Sequence, residues 1–259
     1  MRRALLPVRS DDQAPRECLM LRCTERDKKL IMKCGLCRWL TTTQIQRLYF
    51  PGATVNAVQK RLRKLGEEGY LRTHREGILS EALHAAGPKA RALFEENGLE
   101  YVGGNDISRQ IEHLVGVNDI RISVETGTVP AAYFFAHWQF VRLGWKHPVI
   151  PDAVFAMRAP GLRNFVVEYD RATESLSVLV AKLRTYQEGL RGFSFEAAVI
   201  ITERDRRMDS ARREVRKRNI SLPVLVSTIA ELQAKSMVDC PFLDLRDGGH
   251  RKILDTQSA

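Results

Sequence analysis

Apolar side chains recur at helical spacing in three consecutive segments near the N-terminus. The first segment covers residues 25–40. The second follows the cluster Thr41-Thr42-Thr43, which is suited to capping a helix start, and it ends before Pro51-Gly52. The third covers residues 54–68, where one apolar stripe is formed by Val55, Val58, Leu62 and Leu65. The pattern therefore predicts three helices joined by tight turns.

The residues after the third helix predict a hairpin and a fourth helix. Residues 70–75 alternate as a strand does, Glu76-Gly77 can form a turn, and the chain can return from Ile78. Residues 88–96 have a proline in the first turn and a glycine just past the end, as helices often do. Three helices followed by a hairpin is the order of a winged helix-turn-helix domain. We predict this domain over residues 25–102.

The second half of the chain alternates between helix-like and strand-like segments. In chain order we predict a helix (107–124), three strands (137–143, 152–157 and 165–169), a helix (175–190), a strand (197–201), a helix (205–218) and a last strand (223–226). This order predicts an α/β domain with a mixed sheet over residues 106–230, linked through Gly103-Gly104-Asn105, and the overall class α+β. Residues 1–24 and 231–259 are predicted tails, the latter disordered from Asp244.

Charge narrows the choice of partner. The 259 residues carry a formal net charge of +10, and most of the basic surplus lies in residues 1–105. Such a surplus favours a polyanionic partner at the N-terminal end. No apolar run approaches the roughly 18 residues of a membrane helix, and the basic N-terminus lacks the apolar stretch of a secretion signal. We therefore expect a cytoplasmic protein without a membrane partner.

Polar side chains occupy the faces of the predicted third helix that the apolar stripe leaves free: Asn56, Gln59, Lys60, Arg61, Arg63 and Lys64. Asn and Gln can pair with adenine and Arg with guanine, while Lys mainly meets phosphate. On the hairpin, Arg72, His74 and Arg75 could reach a neighbouring phosphate or the minor groove. The alternative is a solvated helix face. Because the basic run coincides with a helix-turn-helix order, we favour binding to double-stranded DNA.

A second group of charged residues lies in the predicted sheet. Asp152 opens one strand, and Glu168 and Asp170 close the next, so three carboxylates could converge at a sheet edge. A few carboxylates completed by water suit Mg²⁺, which could then polarise a phosphate and activate water. Lys182, in the following helix, could stabilise the charge that develops. The alternative is that Asp152 and Asp170 cap turns while Lys182 pairs with a surface carboxylate.

The order of several short motifs resembles the replication-relaxation family of plasmid and mobile-element proteins, from residue 25 to about residue 186. The stretches that carry the resemblance are Arg26-Asp27, Leu40-Thr41-Thr42-Thr43-Gln44-Ile45-Gln46-Arg47-Leu48-Tyr49-Phe50, Arg61-Leu62-Arg63-Lys64-Leu65, His113-Leu114-Val115-Gly116-Val117-Asn118-Asp119, Pro151-Asp152-Ala153, Glu168-Tyr169-Asp170-Arg171 and Lys182-Leu183-Arg184-Thr185-Tyr186. Each motif is weak alone, and their order is the specific signal.

The resemblance implies a fold and a site for the second half of the chain. The C-terminal part of this family resembles the PD-(D/E)xK phosphodiesterase fold. An active site of that kind would use Asp152, Glu168, Asp170 and Lys182 for catalysis, and Asp152 and Glu168 would bind Mg²⁺ or Mn²⁺. The chain departs from the pattern at Asp170, where that fold usually has lysine. Lys182 could substitute from the helix.

These observations leave an ordered set of functions. The first is a DNA-binding protein of plasmid or mobile-element replication and relaxation, in which the winged helix chooses the site and the α/β core organises or nicks the DNA. The second is a transcriptional regulator whose nuclease-like core is inactive. The third is a metal-dependent endonuclease. A core retained for holding DNA or for forming a homodimer is compatible with the first two.

Two smaller signals have structural alternatives. Cys34 and Cys37 have the spacing of metal ligands, with Cys18 and Cys23 nearby. We favour core thiols over zinc, because Cys34 and Cys37 also fit the buried stripe of the first helix. His113 opens an apolar helical stretch, so we expect a packed histidine, with a functional role near Asn118 and Asp119 as the alternative.

Overall fold

The computed structural model of the protein describes residues 23–77, 80–101, 107, 110–140, 142–190, 194–203 and 205–255. Residues 1–22 of the predicted N-terminal tail, including Cys18, lie outside this description, as does the predicted linker Gly103-Gly104-Asn105. The described part has both helices and strands, and its larger sheet is mixed and seven-stranded. The predicted α+β class is therefore confirmed.

Three capped helices begin the described chain: α1 (Glu25–Leu36), α2 (Thr42–Tyr49) and α3 (Val55–Glu67). Thr24 and Asp27 form a capping box at the start of α1, and Thr41 and Gln44 form another at the start of α2. Each box satisfies backbone N–H groups that the first turn of a helix leaves unpaired. The three predicted helices are thus present, with their starts at the residues that the threonines mark.

A small antiparallel sheet packs beside these helices. It contains β1 (Leu40–Thr41), β2 (Leu71–His74) and β3 (Leu83–Ala86) in the order β1-β3-β2. A 3₁₀ turn (Pro88–Ala90) then leads into α4 (Arg91–Glu96). Strand β2 agrees with the strand predicted over residues 70–75. The predicted return point, Ile78, lies outside the described residues, and the observed return strand β3 begins at Leu83. Strand β1 was not predicted, since two residues carry no periodic signal.

The second half of the chain builds the mixed sheet. Its elements in chain order are α5 (Ile111–Glu125), β4 (Ala131–Ala136), α6 (His137–Phe140), β5 (Ala153–Arg158), β6 (Leu162–Asp170), α7 (Leu176–Gln187), β7 (Ala197–Thr202), α8 (Asp205–Lys217), β8 (Val224–Thr228), α9 (Ile229–Ala234), β9 (Phe242–Asp244) and β10 (His250–Arg251). The strands lie in the order β10-β9-β8-β7-β6-β5-β4. Pairings β6–β7 and β7–β8 are parallel, and the other four are antiparallel.

Both faces of the seven-stranded sheet are covered. One face packs against α5 and α9, and the other packs against α7 and α8. Strand β7 is buried along its whole length because side chains on both of its faces meet helices. The predicted strands and helices of residues 152–226 all appear with ends displaced by a few residues. The long apolar runs predicted these elements well, since a strand covered on both faces is apolar throughout.

Two predictions for this half were wrong. Residues 137–143 were expected to form a strand, but the strand is β4, which ends at Ala136, and α6 begins at His137. The Gln139 side chain accepts a hydrogen bond from the backbone N–H of Ala136, at 3.0 Å, and so favours a turn there. Its neighbours Trp138 and Phe140 are buried in different cores, one on each side of the sheet.

The predicted disorder from Asp244 was the second error. Strands β9 and β10 extend the sheet beyond β8, and Phe242, Asp244 and Ile253 are fully buried. The buried Asp244 carboxylate is paired with Arg246 and Arg251. The short, polar segment has little periodicity of its own, and it becomes ordered because the edge of β8 offers it a partner.

The N-terminal helices have an apolar core of their own, and the small sheet beside them joins the core of the mixed sheet. Trp39, Leu83 and Ala85 pack in the same apolar cluster as α5 and the sheet. The Nδ2 atom of Asn118, on α5, donates hydrogen bonds to the carbonyl oxygens of Cys37 at 3.1 Å and Trp39 at 2.8 Å. Asn118 is fully buried, so these bonds replace water at the junction.

We predict that Asn118→Ala destabilises the protein. The substitution leaves two buried carbonyl oxygens without their donor, and we expect a loss of about 2–4 kcal/mol in the free energy of unfolding. Chemical denaturation monitored by circular dichroism would measure it. Asn56→Ala, at an exposed position of α3, is the matched control and should change stability by no more than about 0.5 kcal/mol. Equal stabilities of the two variants would contradict this account of the junction.

Candidate functional site

An open groove lies between α3 and the β2–β3 hairpin, with a volume of about 650 Å³. We call it the α3 groove. Five side chains that the sequence singled out line it: Asn56, Gln59, Lys60, Arg63 and Arg75. Residues of the small sheet, including His84, complete the lining. The α3 residues among them are exposed, as is Lys64 on the same helix. The structure thus presents most of the predicted DNA-contacting residues on one accessible face.

His84 forms part of the floor of the α3 groove. It is buried, and its ring nitrogens lie 3.1 Å from the hydroxyl oxygens of Thr42 and Thr73. Burial lowers the pKa of His84 to about 4, and the charge of Arg75 acts in the same direction. A neutral histidine therefore holds α2, β2 and β3 together beneath the groove. Sequence reasoning did not identify it, because His84 stands alone in an apolar stretch.

Arg61 has a different environment from its neighbours on α3. Its Nε atom donates to Oδ1 of the fully buried Asp27 at 3.0 Å, and its Nη2 atom binds the other carboxylate oxygen. Burial alone would raise the pKa of Asp27, but the hydrogen bonds from Arg61 and Thr24 outweigh it and hold the pKa below its usual value. The two-point ion pair joins α3 to α1, so we assign Arg61 to stability rather than to DNA contact. On the hairpin, Arg72 is half-buried and Arg75 is exposed.

A second cavity, of about 330 Å³, opens where β5 begins and β6 ends. We call it the Asp152 cavity. The four residues predicted as catalytic, Asp152, Glu168, Asp170 and Lys182, all line it, together with His113. They come from four elements or their ends: α5, β5, β6 and α7. The antiparallel pairing of β5 with β6 brings Asp152 and Glu168 to the same end of the sheet.

Glu168 is nearly buried and has a partner for each carboxylate oxygen. The Nζ atom of Lys182 lies 2.9 Å from Oε2, and the hydroxyl of Tyr186 donates to Oε1. Burial raises the pKa of Glu168 to about 8, and the charge of Asp152 adds to this effect, whereas Lys182 opposes it. Tyr186 was not predicted as a site residue. Its position four residues after Lys182, on the same face of α7, was the available signal.

The other two carboxylates have separate local partners. Oδ2 of Asp152 accepts a hydrogen bond from the backbone N–H of Tyr169 at 2.7 Å, and Oδ1 lies 2.9 Å from Nε2 of His113. Asp170 accepts from the backbone N–H of Ala172 at 2.8 Å, which is the geometry of a capped turn. His113, expected to be a packed histidine, is instead a partner of Asp152.

The expected convergence of three carboxylates on one ion does not fit this arrangement. Both oxygens of Glu168 are engaged, one of them by a cation, and Asp170 caps a turn. Within the described chain, the group whose potential ligand atoms lie within 4.8 Å of one another is His113, His137 and Asp152. The Mg²⁺ or Mn²⁺ site implied by Asp152 and Glu168 is therefore not supported, and we derive no cleavage step through such an ion.

The cysteines of α1 and its C-terminus lie in the apolar core of the N-terminal helices. Cys34 and Cys37 are fully buried, and burial raises the pKa of both thiols. They pack with Leu30, Leu62 and Phe94 in one cluster. This placement agrees with the interpretation of Cys34 and Cys37 as core thiols.

The comparisons with known proteins identify the class of the chain. A family model described as replication-relaxation matches residues 35–203, which is more than half of the 259 residues. The chain belongs to the replication-relaxation family. Membership suggests a role in the replication or relaxation of plasmid or mobile-element DNA. A search of curated proteins found no match. Across the described residues, every helix is too short or too polar to cross a membrane.

We predict that Lys182→Met makes stability more sensitive to pH. Because the pKa of Glu168 is raised in the folded protein, its contribution is fully present below its ordinary pKa of 4.5 and is lost as pH rises through about 8. Without the Lys182 cation the pKa of Glu168 rises further. The variant should therefore lose more stability than the natural protein between about pH 5 and about pH 9. The free energy of unfolding should fall by at most about 1.4 kcal/mol per pH unit.

Thermal melts across this pH range would measure the effect of Lys182→Met. The matched control is the double variant Lys182→Met/Glu168→Gln, in which the titrating group is absent and the additional slope should disappear. A slope that is the same in the natural protein, the single variant and the double variant would show that Glu168 does not titrate with a raised pKa.

Proposed function

We propose that the protein binds double-stranded DNA through the α3 groove and thereby chooses the site at which plasmid or mobile-element DNA is replicated or relaxed. In this proposal the N-terminal helices and the β2–β3 hairpin act as a winged helix-turn-helix, with α3 as the recognition helix. The observation that carries it is the exposed face of α3, where Asn56, Gln59, Lys60 and Arg63 line the groove beside the hairpin and Lys64 is exposed on the same helix.

The chemistry of this face suits a major groove. Gln59 and Asn56 have amides that can pair with adenine, and Arg63 has the planar fork that pairs with guanine. Lys60 and Lys64 supply charge for phosphates, which fix the position of a protein on DNA without reading its sequence. The opposite face of α3 is anchored by Val58, Leu62 and Leu65, which are buried. A rigid support of this kind keeps the contacting side chains in place.

The role proposed for the mixed sheet is to organise DNA or a homodimer rather than to cut DNA. The sheet order and the cavity shared by Asp152, Glu168 and Lys182 support a likeness to the PD-(D/E)xK fold. However, the Nζ atom of Lys182 lies 2.9 Å from Oε2 of Glu168, and Asp170 stands where that fold usually has a lysine. The same arrangement suits the alternative function, a transcriptional regulator with an inactive core. The two differ in whether the bound site lies at an origin or at a promoter.

We predict that substitutions in the α3 groove weaken DNA binding. After selection of a preferred site from random double-stranded oligonucleotides, Gln59→Ala and Arg63→Ala should each weaken that site by about 1–3 kcal/mol. Lys64→Ala should weaken all sequences alike, and affinity should fall steeply with salt concentration, since counterions are released on binding. Fluorescence anisotropy at several salt concentrations would measure these effects.

Lys146→Ala, an exposed lysine away from α3, is the matched control and should leave the affinity unchanged. A triple variant of Lys60, Lys64 and Arg63 to alanine should abolish binding while retaining the fold, because Arg61 and its ion pair with Asp27 are left intact. A triple variant that still binds, or an affinity independent of salt, would overturn the proposal.

We also predict that the protein binds supercoiled plasmid without nicking it in the presence of Mg²⁺ or Mn²⁺. The expectation follows from the engagement of both Glu168 oxygens. Agarose gel electrophoresis separates nicked from supercoiled DNA and would measure the outcome. Metal-dependent nicking that disappears in both Asp152→Ala and Lys182→Ala would show that the core is an active phosphodiesterase.

A further inference from the structure

We infer that His113, His137 and Asp152 form a binding site for a divalent transition-metal ion of the zinc class. The potential ligand atoms of these three side chains all lie within 4.8 Å of one another. The site is independent of the proposed DNA contact, which lies on α3. It also differs in its ligands from the carboxylate site that the sequence suggested, because Glu168 and Asp170 take no part.

The three ligands are brought together by three separate elements. His113 lies in the first turn of α5, His137 begins α6, and Asp152 immediately precedes β5. The backbone N–H of His137 donates to the backbone carbonyl oxygen of Asp152 at 2.9 Å, so the two chain segments are already fixed against each other. The rings of His113 and His137 are 5.9 Å apart, measured between centroids.

The Asp152 carboxylate is oriented as a metal ligand would be. The backbone N–H of Tyr169 holds Oδ2 at 2.7 Å, which leaves Oδ1 towards Nε2 of His113 at 2.9 Å. Outer hydrogen bonds of this kind fix the direction of a first ligand and strengthen metal binding. A bound ion would replace the direct contact between His113 and Asp152, since both groups would turn their lone pairs to it.

His137 provides an independent observation. Its Nδ1 atom is shielded from solvent and has no hydrogen-bond partner among the described residues. A buried polar atom without a partner costs about 1–3 kcal/mol, so such atoms call for an explanation. A ring rotation that presents a nitrogen to an ion would remove the cost.

The ligand set selects the class of ion. Two imidazoles and one carboxylate suit zinc and its neighbours, whereas Mg²⁺ prefers oxygen ligands and water. Ligands about 2.0–2.2 Å from a tetrahedral ion lie about 3.4 Å apart. His113 and Asp152, now 2.9 Å apart, would therefore open slightly around an ion, and no pair in the group would have to close by more than about 1.4 Å, because all three ligand atoms lie within 4.8 Å of one another. Three protein ligands leave a fourth position for water, and His113 and Asp152 line the open Asp152 cavity. The ion would tie α5 to α6 and β5.

The test uses the full chain without a histidine tag and Co²⁺ as a spectroscopic probe. We expect one Co²⁺ per chain, with visible d–d absorption and no thiolate charge-transfer band. His113→Ala and His137→Ala should each weaken Co²⁺ binding by at least about tenfold. His147→Ala, a partly buried histidine outside the group, is the matched control and should bind as the natural protein does. Zn²⁺ should displace Co²⁺, and a large excess of Mg²⁺ should not.

Several outcomes would overturn the site. They are the absence of Co²⁺ binding, equal binding by His137→Ala and the natural protein, displacement of Co²⁺ by Mg²⁺ at similar concentration, and thiolate bands that locate the ion at cysteines. Circular dichroism checks that each variant folds, and if His113→Ala does not, the comparison of His137→Ala with His147→Ala still decides the result. DNA affinity measured in metal-free protein separates a failure here from a failure of the proposed function.

Discussion

The rest of the structure depends on the burial of helix α5. Its residues from Gly116 to Val124 are all buried, so every polar side chain among them needs a partner inside the protein. The Asn118 side chain donates hydrogen bonds to the carbonyl oxygens of Cys37 and Trp39, which follow α1. The Asp119 carboxylate binds Arg47 of α2 and Gln233 of α9. These polar contacts join the N-terminal helices to the mixed sheet, and a change that removed one partner while the junction stayed packed would leave the other buried without a hydrogen bond.

The same helix also shapes the Asp152 cavity. A methyl group added at Gly116 would lie 2.0 Å from the ring of Tyr169, so only glycine allows α5 to approach β6 this closely. The backbone of Tyr169 holds Asp152, and His113, one turn earlier on α5, reaches the same carboxylate. Within two turns of helix, the motif from His113 to Asp119 therefore contains His113 at the cavity, Gly116 at the close approach to β6, and Asn118 and Asp119 at the junction with the N-terminal helices.

Charge is distributed differently in the two candidate sites. The α3 groove carries exposed cations on a helix whose single inward cation, Arg61, is matched by Asp27. The Asp152 cavity instead carries one nearly buried carboxylate, Glu168, which pairs with Lys182, and the half-buried carboxylates of Asp152 and Asp170, each with a local donor. An exposed cationic face suits a polyanion at little desolvation cost. A buried charge must be matched by the protein itself, which is why the cavity is rich in hydrogen bonds.

The sequence by itself determined the local elements: the threonine-capped helices α1 and α2, the apolar stripe of α3 and the apolar strands around the mixed sheet. These signals depend on spacing and capping within a few residues, so they can be read without a structure. Only the tertiary structure decided that Arg61 turns to Asp27, that His137 starts a helix beside Asp152, and that residues 242–251 add strands to the sheet. In each case the deciding partner lies far along the chain, and its distance in space is set by packing rather than by local pattern.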